Sequence, residues 1–481
     1  MPATNLGYKV NDVEIESITL INADGNYIDL RAIVIEFNIY HNLFIKGTKC
    51  ELIVSDTNSL INFIPIVGDE TIHIAFKTPS FEKMREYVFR VYKISDLDRS
   101  TQRGETYVIH AISQEVFDNL RKSVNKSFVD LTGDKIVNAI YEGYLKPSVD
   151  DHSRIKKKNI INTQASSNRQ SIVFPGIKPF EAIDYVGQES IPDISTQQTI
   201  TPNYIFFERQ DGWYFKTIDS MLYAKPFDDF YLADAATEKK NEGDDVIHEY
   251  QNISSLEILD RLDVMKKTHQ GLYSHTVETI DPITKRFKQD KFLYKDEMKN
   301  IAHLEDHDFD GDNLVLRKNF GSDYYVSKKS SLNKDSDNSI TYYTISNIGE
   351  NYNKQDYLNK AIDTDTQIRN PRVLHNTLKY DVASRIQLSN IRLSVVIPGN
   401  SDIQIGDVVN LHIPEASQNE EYMKKISRMY DKRFFVTAVR HTHQKVDNIY
   451  FTVLECVKDT YATQTKEIDY KPTTDDEEWK T

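Results

Sequence analysis

Ile391-Arg-Leu-Ser-Val-Val-Ile397, then Pro398-Gly399-Asn400, then Asp407-Val-Val-Asn-Leu-His-Ile413 is the stretch whose pattern decides the fold. Side chains along a strand alternate between its two faces, so Ile391, Leu393, Val395 and Ile397 share one side of the first run. Proline fixes φ and glycine admits positive φ, so a turn ends that run and feeds a second strand that aligns Val409, Leu411 and Ile413. Arg433-Phe-Phe-Val-Thr-Ala-Val-Arg440 and Ile449-Tyr-Phe-Thr-Val-Leu-Glu-Cys-Val457 follow, flanking the polar turn Lys445-Val-Asp-Asn448. Both are rich in the β-branched and aromatic residues that suit a pleated, half-buried surface. Together the four runs predict a small antiparallel barrel.

Outward from there, the N-terminal part reads as all-β. Strands are expected over Val13–Leu20, Tyr27–Tyr40, Lys49–Val54, Glu70–Phe76, Tyr87–Ile94 and Thr106–Ile112, with Asp24-Gly25-Asn26 as a turn and Ile72, Ile74 and Phe76 alternating. Between the two β regions lie mixed signals. Leu131, Ile136, Ile140 and Leu145 make a helical stripe over Asp130–Leu145, stopped by Pro147. Pro179 opens a second helix with Phe180, Ile183 and Val186 on one face, ahead of an aromatic hairpin, Tyr204–Phe207 and Trp213–Ile218, around Gln210-Asp211-Gly212. Tyr204, Phe206, Trp213 and Phe215 are read as core. Ser254 and Glu257 have capping-box spacing, and Ile253, Leu256, Leu259, Leu262 and Met265 predict a third helix. Ser148–Gln170, which contains Lys156-Lys157-Lys158, reads as a polar loop or arm, Glu238–Asp245 as a charged break, Lys328–Ser339 as an exposed excursion, and Thr463–Thr481 as a disordered acidic tail.

The 481 residues exceed one ordinary domain, and 39% hydrophobic content suffices for several cores. No signal peptide opens the chain and no window is apolar enough to span a membrane, so a soluble protein without a membrane anchor is expected. Cys50 and Cys456 are too few for a disulfide framework and are read as buried free thiols. A formal charge of −14 argues against nonspecific binding of nucleic acid or anionic lipid, which needs cations to displace counterions.

Two stretches invite a metal. Asp306, Asp308, Asp310 and Gly311 occupy positions one, three, five and six of a calcium loop, but the closing carboxylate position falls on Arg317, so a solvated acidic turn is the better reading. His303 and His307 are four apart, with the glutamate misplaced for a zinc-protease signature. His441 and His443 share a strand face, where a metal would need a third ligand from elsewhere; an exposed pair on a barrel rim is preferred. No phosphate loop, nucleophile elbow or Cys-x-x-Cys is present, and a glycosidase pair cannot be picked from 73 acidic residues. No catalytic, cofactor-binding or metal residue is therefore assigned.

Ile397-Pro-Gly-Asn-Ser-Asp-Ile-Gln-Ile-Gly-Asp-Val-Val-Asn-Leu411, with Phe434–His441 after it, resembles the closing barrel of the baseplate hub proteins of contractile-tailed bacteriophages. Tyr204–Asp219 and Lys178-Pro-Phe-Glu-Ala-Ile-Asp184 are similar to further parts of that family, so the likeness spans roughly the C-terminal two thirds. It implies an α+β, predominantly β fold, with antiparallel tube-type β-barrels at both ends bracketing smaller mixed α/β domains. The implied divisions are 1–120 and 371–462 for the barrels, 121–250 and 251–370 for the mixed domains, and 463–481 for the tail. It also implies a homotrimer in the virion tail baseplate, assembled in the host cytoplasm. There the trimer would match a threefold central spike to a sixfold tail tube or tube initiator, contact wedge proteins, and let DNA through without binding it specifically. The alternatives are the spike-like hub of a contractile secretion or injection system, and a tail-associated cell-wall hydrolase.

Overall fold

A computed structural model of the chain describes residues 10–146, 161–193, 201–232, 250–316, 338–345, 374–414 and 430–460, apart from short stretches at 23, 58–65, 80, 82, 102–103, 262, 282–284, 306, 311–312 and 431. The protein is predominantly β. Its N-terminal unit comprises β1 (Glu14–Ile21), β2 (Tyr27–Asp29), β3 (Val34–Asn42), β4 (Lys49–Asp56), β5 (Thr71–Lys77), β6 (Arg85–Thr101) and β7 (Gly104–Ile112). The strand expected over Tyr27–Tyr40 is split, because the amides of Ile33 and Val34 both donate to the Leu30 carbonyl and turn the chain. Alternate residues such as Phe37, Ile39, Leu52, Ile74, Phe76 and Tyr107 fill one apolar core.

The next unit holds α1 (Gln114–Arg121), β8 (Val124–Thr132), α2 (Gly133–Ile140), β9 (Ile161–Thr163), β10 (Arg169–Ile177), α3 (Pro179–Gln188), β11 (Tyr204–Arg209), β12 (Gly212–Thr217) and α4 (Ile218–Leu222). The helix expected from Asp130 starts at Gly133, since β8 pairs with β10 as far as Thr132; a π-turn, Tyr141–Leu145, continues it. Pro179 stands at the start of α3 as anticipated. Tyr204, Phe206, Trp213 and Phe215 are all core, the two pairs stacking at 4.6 Å and 4.7 Å. Part of the expected polar arm is ordered structure: β9 pairs with β12, and β10 begins at Arg169.

The C-terminal unit contains β13 (Asp229–Leu232), β14 (Asn252–Ile253), β15 (Ser255–Asp260), β21 (Ile391–Pro398), β22 (Val408–His412), β23 (Lys432–Gln444) and β24 (Ile449–Lys458). Ile391, Leu393, Val395 and Ile397 are buried on one side, as alternation requires. Between β15 and β21 comes an insertion with α5 (Val264–His269), β16 (Ser274–Asp281), β17 (Arg286–Leu293), α6 (Tyr294–Glu297), β18 (His307–Asp310), β19 (Asn313–Leu316), β20 (Ile340–Ile345) and α7 (Leu374–Gln387), around its own small core. The third helix expected here is wrong. Ser255–Asp260 pairs with β21 as a strand, and the helix that follows has only six residues, capped by the Asp263 side chain. Lys156–Lys158, Glu238–Asp245, most of Lys328–Ser339 and Thr463–Thr481 lie outside the described residues.

The two β units are not separate. One fourteen-stranded sheet runs through both, because β23 outlasts β22 and pairs with β3 from Ala438 to Gln444. Within this sheet one arrangement occurs twice. Strands β3 to β7, in chain order, lie side by side as β3-β4-β7-β6-β5. Strands β15, β21, β22, β23 and β24 lie as β15-β21-β24-β23-β22, the same permutation. Even the irregularities correspond: β6 bulges between Val91 and Lys93 just past its pairing with β5, and β23 bulges between Val436 and Ala438 just past its pairing with β22.

Candidate functional site

The feature that unites the two units is the side of the joined sheet turned away from both apolar cores. It crosses β15, β21, β24, β23, β3, β4, β7 and β6 through an unbroken series of antiparallel pairings. Polar residues such as Glu36, Glu51, His110, Arg392 and Glu455 stand at alternate positions that the cores leave free, together with apolar ones such as Ile53, Val108, Val396 and Val453. At the junction, Asn38 Oδ1 accepts from Arg440 Nε (3.0 Å) and Nη2 (2.8 Å) and from Thr442 Oγ1 (2.8 Å). The Asn38 amide donates to Glu36 Oε1 at 2.7 Å, and the Arg440 guanidinium lies 5.3 Å from the Tyr40 ring centre. Tyr40 OH donates to Glu51 Oε2, Glu51 pairs with His110 Nδ1 at 3.2 Å, and His110 Nε2 meets Ser95 Oγ at 2.7 Å. Partial burial pushes the Tyr40 hydroxyl up to about 12, with Arg440 opposing and Glu51 adding to the shift. On the C-terminal side Arg392 bonds both Glu455 (2.6 Å) and Asp260 (3.1 Å). Arg392 and Arg440 of this face are thus held by acceptors.

Behind the face, the junction is sealed by aromatic and imidazole rings. Tyr450 belongs to β24 but lies in the N-terminal core, 5.6 Å from Phe76 ring to ring, with its hydroxyl 2.9 Å from His441 Nδ1. His41 approaches His441 at 5.9 Å and contacts the Tyr87 hydroxyl at 3.4 Å. Burial lowers His441 to about 3, helped by the nearby Arg85 charge, so this imidazole is neutral at ordinary pH. The Pro398-Gly399-Asn400 turn packs on the same spot. A Cβ at Gly399 would stand 2.0 Å from the Tyr450 ring, so only glycine fits. Asn400 Oδ1 caps the amides of Asp402 and Ile403, and Asp402 is ion-paired with the buried Arg85 of β6.

A buried hydrogen bond and a buried ion pair dock the insertion onto the C-terminal unit. His303 Nδ1 lies 2.7 Å from Asp459 Oδ2, and Lys458 Nζ lies 2.7 Å from Glu305 Oε1, all four side chains nearly or wholly removed from solvent. His303 Nε2 faces the Met298 carbonyl at 3.0 Å. These contacts are clamps between packed elements.

His441 and His443 are not an exposed pair. Each is at most 3% exposed, because β23 continues past the expected rim into its pairing with β3. His443 lies 5.2 Å from Phe37, ring centre to ring centre, in a tilted arrangement and contacts Asn448 Oδ1, and burial lowers its pKa. Asp308 and Asp310 lie on β18, paired with Val315 and Asn313 of β19, so the backbone is a β-hairpin and not a calcium loop; Asp306 and Gly311 fall outside the described residues. Among the described residues no group of three or more His, Cys, Asp or Glu converges on a metal position, and no helix is long and apolar enough to cross a membrane. Cys50 and Cys456 are buried free thiols, with burial pushing both well above the usual thiol range. The polar face went unread in the sequence, although Glu36, Asn38 and Tyr40, then Glu51 and Ile53, already alternate with core residues there.

No family model matches the sequence, and no curated protein does. Solved structures do. The tail protein from Neisseria meningitidis MC58 superposes with a TM-score of 0.50 at 8% identity, over 92% of this chain and 96% of that one. The 43 kDa tail protein of prophage MuSo2 from Shewanella oneidensis gives 0.45 at 10% identity, covering 92% and 98%. The E. coli c3393 protein is described as a component of the type VI secretion system with structural similarity to the T4 bacteriophage tail proteins gp27 and gp5. It gives 0.39 at 9% identity, covering 96% and 79%. The first of these shows that the chain has the fold of that tail protein along nearly its whole length.

Proposed function

We propose that this chain is a structural, non-enzymatic protein of a contractile tail, the trimeric baseplate hub that joins a threefold central spike to a sixfold tail tube. The observation that carries the reading is the repeated strand order, β3-β4-β7-β6-β5 and β15-β21-β24-β23-β22, laid side by side in one sheet. Each repeat, with its own apolar core, serves as one tube-type barrel. In the C-terminal unit the pairing of β13 with both β14 and β22, together with the Ser254 amide on the Val396 carbonyl, supports closure of such a barrel. Three chains of two barrels then present six equivalent units about one axis, which is what a threefold-to-sixfold adaptor must do.

The polar sheet face fits the wall of a DNA channel. A polyanion is retained by cations that displace its counterions, and here Arg440 and Arg392 are already engaged by Asn38, Glu455 and Asp260. The formal charge of −14 acts in the same direction. The partners are the spike, the tube or its initiator, and the wedge proteins, met in the assembled tail after synthesis in the host cytoplasm. The likeness in fold to a tail protein supports this placement. Light scattering over a dilution series tests it: a stable trimer is expected, alone or once the spike protein is added. A monomer under both conditions would overturn the reading.

A further inference from the structure

We infer that Lys267 and Asn390 form a site of covalent self-modification: the Lys267 amine displaces ammonia from the Asn390 carboxamide, and the resulting isopeptide bond staples the insertion across its root. The two residues stand where the chain leaves the C-terminal sheet and where it returns. Lys267 lies on α5, shortly after β15, and Asn390 directly precedes β21, the strand with which β15 pairs. They are 123 positions apart, yet Lys267 Nζ donates a hydrogen bond to Asn390 Oδ1. The reacting nitrogen is thus already held against the group it attacks, which removes most of the entropic barrier of a bimolecular step.

The surroundings suit an amine that reacts as well as one that donates a hydrogen bond. Lys267 is only 4% exposed, and among the described residues no carboxylate forms an ion pair with it. Lys458, also buried, is by contrast held by Glu305 at 2.7 Å. Burial lowers the Lys267 pKa to about 8, against the opposing charges of Asp260 and Asp263, so neutral, nucleophilic amine is present in mildly alkaline solution. The carboxamide is oriented too. Asn390 Nδ2 donates to the Asp459 carbonyl, and the Asn390 backbone amide donates to the Gln387 carbonyl at 3.0 Å. Asp459 is anchored in turn by His303 and by the Leu304 amide.

The step balances without an outside reactant. Neutral Nζ forms a bond to Asn390 Cγ, one proton passes from Nζ to Nδ2, and the Cγ–Nδ2 bond breaks with its electron pair leaving on ammonia. The product is a neutral secondary amide, so no unpaired charge stays buried at the site. Once the bond is made, the insertion cannot part from the C-terminal unit even where β15, with Ile258 and Leu259 exposed, unzips from β21. Closing so long a loop also removes more freedom from the unfolded chain than closing a short one.

The test is mass spectrometry of the full chain, held folded at roughly pH 9, about one unit above the Lys267 value, then denatured and digested with trypsin. An intact mass lower than that of the sequence by one ammonia is expected, together with a branched peptide joining the segments around Lys267 and Asn390 and no cleavage after Lys267. Lys267→Arg and Asn390→Ala should each keep the full mass. The unaltered chain decides the matter even if a variant fails to fold: full mass with ordinary cleavage after Lys267 would overturn the proposal. An ammonia loss that persists in Lys267→Arg, or that gives no branched peptide, would overturn it as well, because a succinimide elsewhere in the chain accounts for such a loss.

Discussion

Replacing Tyr450 by alanine should loosen the N-terminal unit even though the residue belongs to the C-terminal hairpin. Tyr450 is fully buried in the core formed by β1 and β3 to β7, its ring set edge-on to Phe76 and its hydroxyl on His441. Its amide donates to the Asn11 carbonyl, and its own carbonyl accepts from Gly399, so the surrounding backbone is held and collapses poorly into a void. Removing a large buried aromatic side chain costs about 3–5 kcal/mol. Tyr450→Phe keeps the ring and costs about 1–3 kcal/mol, from leaving His441 Nδ1 without its partner. Hydrogen exchange followed by mass spectrometry reads the effect locally. For Tyr450→Ala, peptides over β5 and β21 should both exchange at least about a hundredfold faster, since each 1.4 kcal/mol is a factor of ten. If β21 alone loses protection while β5 is unchanged, the claim that β24 completes the N-terminal core is refuted.

Acid should destabilise the junction well above the carboxylate range. His441 is held near 3 in the folded chain against about 6.5 unfolded, so below pH 6.5 the unfolded state binds a proton that the native state does not, and stability falls with pH until about pH 3. That amounts to about 2 kcal/mol between pH 7 and pH 5. Urea midpoints at the two pH values should show a loss, and His441→Gln should reduce it by about 2 kcal/mol, the remainder coming from His443 and His275, which burial also lowers; a parallel decline in both proteins would contradict the assignment. Lys458→Met removes the cation from the buried Glu305 carboxylate and should cost about 3–5 kcal/mol, whereas adding Glu305→Leu should recover most of that. Denaturation midpoints of the two singles and the double decide it, and additive losses would count against a coupled pair.

Much of the β structure was legible because alternation is strict where one face is buried. The four runs after Ile391 and the six N-terminal runs fall on strands, although Tyr27–Tyr40 divides into β2 and β3, and β6 and β23 run on past the expected ends. Failures have identifiable causes. In β15 the apolar residues Ile258 and Leu259 are exposed and Leu259 sits in a bulge, so period two is broken and a helical spacing appears instead. The imidazoles of His441 and His443 were placed on a rim because nothing local announces that β23 will find a further partner nearly four hundred residues earlier in the chain. The repeat itself was invisible, since it resides in pairing order, and its C-terminal copy is split after β15 by an inserted unit of more than a hundred residues.

The presence of Tyr450 in the first core sets an order on synthesis. A ribosome completes β7 at Ile112 but has more than three hundred residues still to translate before Tyr450 emerges, which at bacterial rates takes on the order of half a minute. Through that interval the leading unit holds an unfilled core and an uncovered β3 edge, the condition in which nascent chains recruit chaperones or are degraded. A prematurely terminated product therefore lacks the piece that seals its own beginning. Only a chain read through to its closing hairpin has the residue that completes its first core.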